Sequence, residues 1–323
     1  MLSRVAERMY WGARYLERAE NTARLVRVYD AALMDLPEQA GIGWPLLVEI
    51  CGAREAFSAR YPNGGNGGGN GSGMGGGARG TLKFLAADDA NPGSIVASLA
   101  QARENFRTTR DLCPTEAWRS VNELHLYGRK ELPKMASPRR RHEVLSGIVR
   151  GVQQMTGLLS GTMSHGDAYQ FIRIGRNLER ADMTTRIIDV AAAALLGVRG
   201  AETRLDNTLW MAVLKSLSGY QMYRQYVRRR IRDEDAIRFL LNDALFPRAV
   251  RHCLGELETS FMVLPNHEVP LRAVLRLQRI VDAQVVQAFD EAALHRLMDD
   301  LQIELAEVHR QIAAAWFLPD QPA

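Results

Sequence analysis

Lysine is nearly missing from this 323-residue chain: Lys83, Lys130, Lys134 and Lys215 are its lysines, so the positive charge is almost all arginine. The net charge is only +4. Two arginine runs, Arg139-Arg140-Arg141 and Arg228-Arg229-Arg230-Ile231-Arg232, are short and are not interleaved with base-stacking aromatics, so no nucleic-acid partner is expected. Cysteine is scarce as well. Cys51, Cys113 and Cys253 are odd in number, far apart and in no metal-ligand spacing, which excludes a disulfide framework and suits a reducing cytosol. Long apolar runs are absent too: the longest, Val190 to Val198, is about half of what a bilayer crossing needs and reads as a buried helix segment. With no apolar signal core in the opening residues, a cytoplasmic protein with no membrane partner is expected.

The usual catalytic spacings are also lacking. No glutamate has a histidine three residues on, as carboxylate-bridged di-metal bundles require, and Glu291 with His295 reads as a surface pair. There is no H-E-x-x-H, no G-x-S-x-G and no D-D-x-x-D, and the histidines and cysteines show no nucleophile-base pairing. No metal and no cofactor are expected. The glycine-rich stretch from Pro62 to Gly77 has no GK[ST] ending and no strand before it, so residues 62–80 read as a flexible insertion rather than a phosphate loop. Period-two alternation is not sustained anywhere, and the fold class is all-α.

What the chain does have is repetition. R-Y-L-E-R-A-E-N-T-A-R at Arg14 to Arg24 returns as R-N-L-E-R-A-D-M-T-T-R at Arg176 to Arg186, 162 residues later. Seven of eleven positions are identical, where unrelated segments would share about one. A second block, Phe84 to Ile95, matches Phe239 to Val250 through Phe84/Phe239, Leu85/Leu240, Asp88/Asp243 and Pro92/Pro247. Trp44 and Trp210 lie between the blocks, so three landmarks recur in one order. These repeats predict one helical body over residues 1–323, a bundle built by internal duplication with halves at about 1–125 and 163–290. Each proline is expected in the first turn of a helix, with the aspartate before it as a cap or turn residue.

On a helix, Tyr15, Leu16, Ala19, Ala23 and Val26 make an apolar stripe, and Arg14, Glu17, Arg18, Asn21 and Arg24 fall on the opposite arc. Three readings of that arc stay open: a solvated face laced by pairs such as Arg14 with Glu17, a buried ionic network between the halves, or an Arg/Glu-lined ligand site. The retained charges favour the last two, because solvated positions drift most easily. Candidate ligand-binding residues are Arg14, Arg18, Glu20, Arg24, Arg176, Arg180, Asp182 and Arg186, with Arg103, Glu104 and Asn105 on a second charged face. The two motif faces are expected to share one polar cleft that prefers an anion. Glu17 and Glu179 are the candidates for a general base.

The opening M-L-S-R-V-A-E-R-M-Y-W-G-A-R-Y-L-E-R-A-E-N-T-A-R, the Ala102-Arg103-Glu104-Asn105 segment, T-E-x-W at Thr115 to Trp118 and Gly175 to Asp182 resemble the bacterial alpha-E domain family over essentially the full length. The glycine-rich stretch departs from that pattern. The resemblance implies a setting more than a reaction. Members are encoded beside, or fused to, a circularly permuted ATP-grasp ligase, often with a transglutaminase-like peptidase and sometimes a proteasome-like one. The expectation is therefore a helical partner or co-catalytic subunit of an ATP-grasp amide or peptide ligase, holding its carboxylate substrate or the ligase itself. The alternatives are a stand-alone enzyme acting on a peptide or amide through a motif glutamate, and a purely structural scaffold; whether the chain is an enzyme is left open.

Overall fold

The computed structural model describes residues 3–35, 43–62, 76–196, 203–228, 230–283 and 291–317. Among these residues there are fourteen α-helices and no strand. The first seven are α1 (Ser3–Asp35), α2 (Pro45–Ile50), α3 (Arg54–Arg60), α4 (Gly76–Leu82), α5 (Ile95–Thr108), α6 (Thr115–Glu131) and α7 (Pro138–Thr162). The rest are α8 (Asp167–Leu196), α9 (Thr203–Ser216), α10 (Tyr220–Tyr226), α11 (Asp233–Asn242), α12 (Val250–Phe261), α13 (Glu268–Asp282) and α14 (Glu291–Trp316).

The two long motif helices, α1 and α8, lie against each other at the centre and form the most extensive helix pair. Around α1 pack α5, α7 and α9; around α8 pack α12, α14, α9 and α2, so that α9 touches both central helices. The outer helices follow the same order, α5 on α6 on α7 and α12 on α13 on α14. The outer helices thus pack in a similar order around α1, through α7, and around α8, through α14. One buried apolar cluster, from Ala6 to Phe317, includes residues of both sets.

Surrounding α1 on every side changes its character. Leu16, Ala19, Ala23 and Val26 are buried as the apolar stripe predicts, but Glu17, Asn21 and Arg24 on the charged arc are at most 4% exposed. The helix is therefore a core helix carrying charge, not an amphipathic surface helix. At the crossing, Gly175 of α8 meets the backbone of α1, where any Cβ would overlap the Tyr10 carbonyl oxygen.

Local starts and stops differ from the sequence reading in several places. Pro45 opens α2 at its first turn, but the helix stops at Cys51 and restarts as α3, with Gly52 between them at φ +64°. Pro92 and Pro247 precede α5 and α12 by a short turn instead of entering them. Ser94 caps α5 by accepting from the Ala97 N–H at 3.1 Å. The aspartates are turn residues: Asp88 Oδ1 accepts from Ala90 N, and Asp243 Oδ1 from Leu245 N and Phe246 N. Most of the glycine-rich stretch lies outside the described residues, while its last residues form the start of α4, with Ala78 buried.

Two glycine substitutions should move stability in opposite directions. Gly175→Ala forces the α1 and α8 backbones apart and should cost about 1–3 kcal/mol or more in chemical denaturation. Gly157→Ala, mid-helix in α7 with open space around it, should add about 0.5–1 kcal/mol through helix propensity alone.

Candidate functional site

The two motifs meet as an exchange of charges. Glu179 of α8 accepts from Arg14 Nε at 2.7 Å and from Arg18 through Nε at 2.6 Å and Nη2 at 3.1 Å. In return, Glu17 of α1 pairs with Arg180 Nε at 3.0 Å. The Arg14–Glu17 pair read from sequence, within one helix, is replaced by a pair between helices. Arg14 takes Glu179 instead of Glu17, and Arg24 takes Glu20, one turn before it on the same helix. Asp182 and Arg186 pair likewise at 2.9 Å.

Arg248, one residue after Pro247, completes the Glu17 side. Its Nη1 donates to Glu17 Oε1 at 2.7 Å and to Asn21 Oδ1 at 2.6 Å, and its Nη2 donates to Glu20 Oε1 at 3.0 Å. Thr184 fixes this segment by donating its hydroxyl to the Arg248 carbonyl at 2.8 Å. Sequence reading missed Arg248. The signal was present in the second repeated block, where the first half has Gly93 at the matching place after the shared proline.

The arrangement is symmetric in outline and unequal in detail. Ser218 (φ +58°) and Gly52 (φ +64°), 166 residues apart like the two landmark tryptophans, both hold left-handed backbone. Arg24 donates to Ser218 Oγ, and Arg186 Nη1 fills the place where a Gly52 Cβ would stand. But Arg176, the counterpart of Arg14, is left over. Its Nε, like those of Arg24 and Arg180, is buried with no hydrogen-bond acceptor. The Arg180 Nε contact with Glu17 is thus a close ion pair whose N–H is not aligned for a hydrogen bond. Arg14 has better support: its Nη1 donates to Tyr10 Oη at 3.0 Å, and that hydroxyl bonds His309 Nδ1 at 2.7 Å.

Electrostatics follow from these contacts. Burial alone would raise the Glu17 pKa, but Arg180 and Arg248 together outweigh it and bring it down to about 2. Burial acts on Glu179 in the same sense, and Arg14 and Arg18 reverse it, so its pKa is lowered. For Arg24 and Arg176 burial wins, holding both guanidiniums below their usual range, with Arg248 and Arg180 respectively adding repulsion. Around the Glu17 side, arginine exceeds carboxylate.

A partly open cavity of about 180 Å³ lies on that side, lined by Glu20, Arg24, Arg180 and Arg248 with Ser218, Pro247, Gln153 and Thr156. The structure thus brings Glu20, Arg24 and Arg180 to a cavity, and Arg14, Arg18 and Glu179 to a separate cluster in which Glu179 is buried and Arg18 partly exposed. It does not bring in the second charged face. Arg103 donates to Asn122 and lies over Trp118, Glu104 pairs with Arg107 in solvent, and Asn105 donates to the Gln101 carbonyl. The Arg139–Arg141 run is neutralised in part: Arg141 makes two buried 2.8 Å bonds to Asp30, and Arg140 pairs with Glu131 and Glu143. Asp189, His295 and Asp299 each place one ligand atom within 4.8 Å of the others, so they could hold a metal. They come from α8 and α14, and His295 faces these two aspartates, a grouping that sequence spacing did not reveal.

The fold and this Glu-Arg exchange define a helical protein organised on paired Glu-Arg dipeptides. The chain belongs to the Alpha-E family, described as a predicted alpha-helical domain with a conserved ER motif, whose model matches residues 1–317. Uncharacterized proteins of Mycobacterium bovis and Mycobacterium tuberculosis are 24% identical to it, covering 97% of this chain and 35% of theirs. The chain therefore spans about a third of the length of these curated relatives. No solved structure matches it. No helix among the described residues is long and apolar enough to cross a membrane.

A carboxyl whose folded pKa is depressed adds stability that is complete above its unfolded value and is lost as pH falls through the folded one. For Glu17 that window runs from 4.5 down to about 2. Glu17→Gln should cost about 3–5 kcal/mol at neutral pH, since it strands buried arginines. The gap from the parent should narrow as pH falls through that window in thermal melts. A pH-independent gap would mean that charge is not what Glu17 contributes.

Proposed function

We propose that this chain is a helical partner or co-catalytic subunit of an ATP-grasp amide or peptide ligase, in the cytosol, with its paired Arg/Glu faces holding a carboxylate-bearing substrate or the ligase. The observation that carries the reading is the arginine excess at an open cavity beside Glu17. Carboxylate is the group that an amide ligase must activate, and guanidinium is the side chain best shaped to hold it in two parallel bonds. The length of the mycobacterial relatives leaves room for a fused catalytic domain, and a peptidase of the transglutaminase-like or proteasome-like kind fits the same peptide chemistry. The three cysteines are free thiols, in keeping with a reducing compartment.

The stand-alone enzyme reading is weaker on physical grounds. A general base works best with a pKa near the working pH, whereas Glu17 sits at about 2 with two arginines on it. Glu179 is clamped in the same way.

Affinity capture from the native host should recover an ATP-grasp protein, and adding the purified chain should raise that ligase's turnover. Glu17→Gln with Glu179→Gln should abolish the increase. Recovery of no ATP-grasp protein, together with unchanged turnover, would overturn the proposal.

A further inference from the structure

We propose that the cavity beside Glu20 is a subsite for one carboxylate group, the free end of an amino acid or peptide, held by Arg24, Arg180 and Arg248. This rests on the reading of the chain as a carboxylate holder and narrows it to one place and one charge. Four segments that are distant in sequence converge there. Glu20 and Arg24 come from α1, Arg180 from α8, Ser218 from the turn after α9, and Arg248 from the turn before α12. Arg24 and Arg248 are only 4% and 6% exposed, so their charge is held in a mostly desolvated place.

Charge counting selects the ligand. The three arginines of the wall face one carboxylate there, Glu20, and share Glu17 behind it with Arg176, so the surplus at the site is at least one positive charge. A carboxylate supplies one negative charge; a phosphate dianion would bring a second one next to Glu20. Size agrees with that choice. About 180 Å³ holds about six waters' share of liquid volume, below the ~300–1,000 Å³ of sites that enclose a whole small-molecule ligand. A terminal group enters, and the rest of the molecule stays outside. Arg24 and Arg180 line the cavity, and the Nε–H of each is buried with no acceptor, so the carboxylates of the site leave part of its guanidinium donor capacity unmatched.

The test uses the full chain alone, with calorimetric titration of N-acetylglycine, which has a carboxylate and no ammonium, of glycinamide, which has the reverse, and of inorganic phosphate. N-acetylglycine should saturate one site, and glycinamide should not bind. Gln153 stands on the outer wall from α7 and is itself exposed, so changes there spare the ion network. Gln153→Glu should weaken N-acetylglycine at least about tenfold by placing a second carboxylate beside the site, and Gln153→Lys should leave it equal or tighter. A merely structural disturbance would move both variants the same way. Tighter binding of phosphate than of N-acetylglycine, equal binding of glycinamide, no saturation at tens of millimolar, or no response to Gln153→Glu would each overturn the carboxylate subsite. Failure here with ligase stimulation intact removes the subsite alone; intact binding with no ligase effect removes the partner reading and leaves the subsite standing.

Discussion

Everything in the centre of this molecule depends on two glutamates having changed partners. Glu17 and Glu179, buried on neighbouring helices, are each neutralised by an arginine of the other helix. A buried carboxylate is tolerable only with its partners in place, so sliding α1 along α8 would strand charges on both sides at once. Apolar residues of the same volume could match the stability of such a network. What they could not match is its insistence on one register. The close approach at Gly175 adds a steric constraint at the same crossing, because backbone there meets backbone.

The two sides of the exchange then part company. On the Glu179 side, Arg14 and Arg18 supply three hydrogen bonds, and Tyr10 with His309 holds Arg14 in position. On the Glu17 side, Arg248 has entered where the first half carries Gly93, taking the carboxylate that Arg176 would take by analogy with Arg14. With Arg248 on Glu17, the Arg176 Nε finds no acceptor, and Arg176 stands beside Glu17 and Arg180 rather than on the cavity wall. The two sides of the exchange therefore differ: one is an ion cluster on Glu179, and the other borders an open cavity. This inequality, more than the repeat itself, is what separates a possible binding place from a structural clasp.

How much of this could be read beforehand depends on which interactions are local. Helical spacing, the absence of alternation and the positions of Trp44, Pro92, Pro247 and the two Leu-Glu-Arg-Ala segments carry the all-α class and the element order. They do so because propensity and turn chemistry act within a few residues. The break at Gly52 is not legible in this way, since a single left-handed residue inside an apolar run leaves little trace in periodicity. The charged arc of α1 was legible as retained, and its burial was one of the readings left open. Its burial is decided by four helices arriving from elsewhere in the chain, and a sequence window cannot see them. Arg248 shows the same limit: it lies 231 residues from Glu17, and only the position after a shared proline linked the two. The Arg103-Glu104-Asn105 face shows the converse, a run that reads like a site and serves α5's own surface and its contact with α6.

At the centre, Glu17 and Glu179 are clamped as anions by arginine, an arrangement that does not poise either for proton transfer. A carboxylate pulled down to about 2 by two arginines is kept as an anion at every physiological pH, which fixes geometry and gives up proton transfer. The arginines that remain in surplus cannot act as acids either, since their protons stay bound throughout the same range. On the proposed reading, the bond-forming step then has to come from a protein with its own nucleotide, and what this chain contributes is position. Position is a large contribution where two reactants must meet, because orientation alone can lower a barrier by up to about 7–11 kcal/mol. A helical body with an open, arginine-lined recess suits such a role: the crossing fixes its register, and the excess of guanidinium at the recess favours an anionic group.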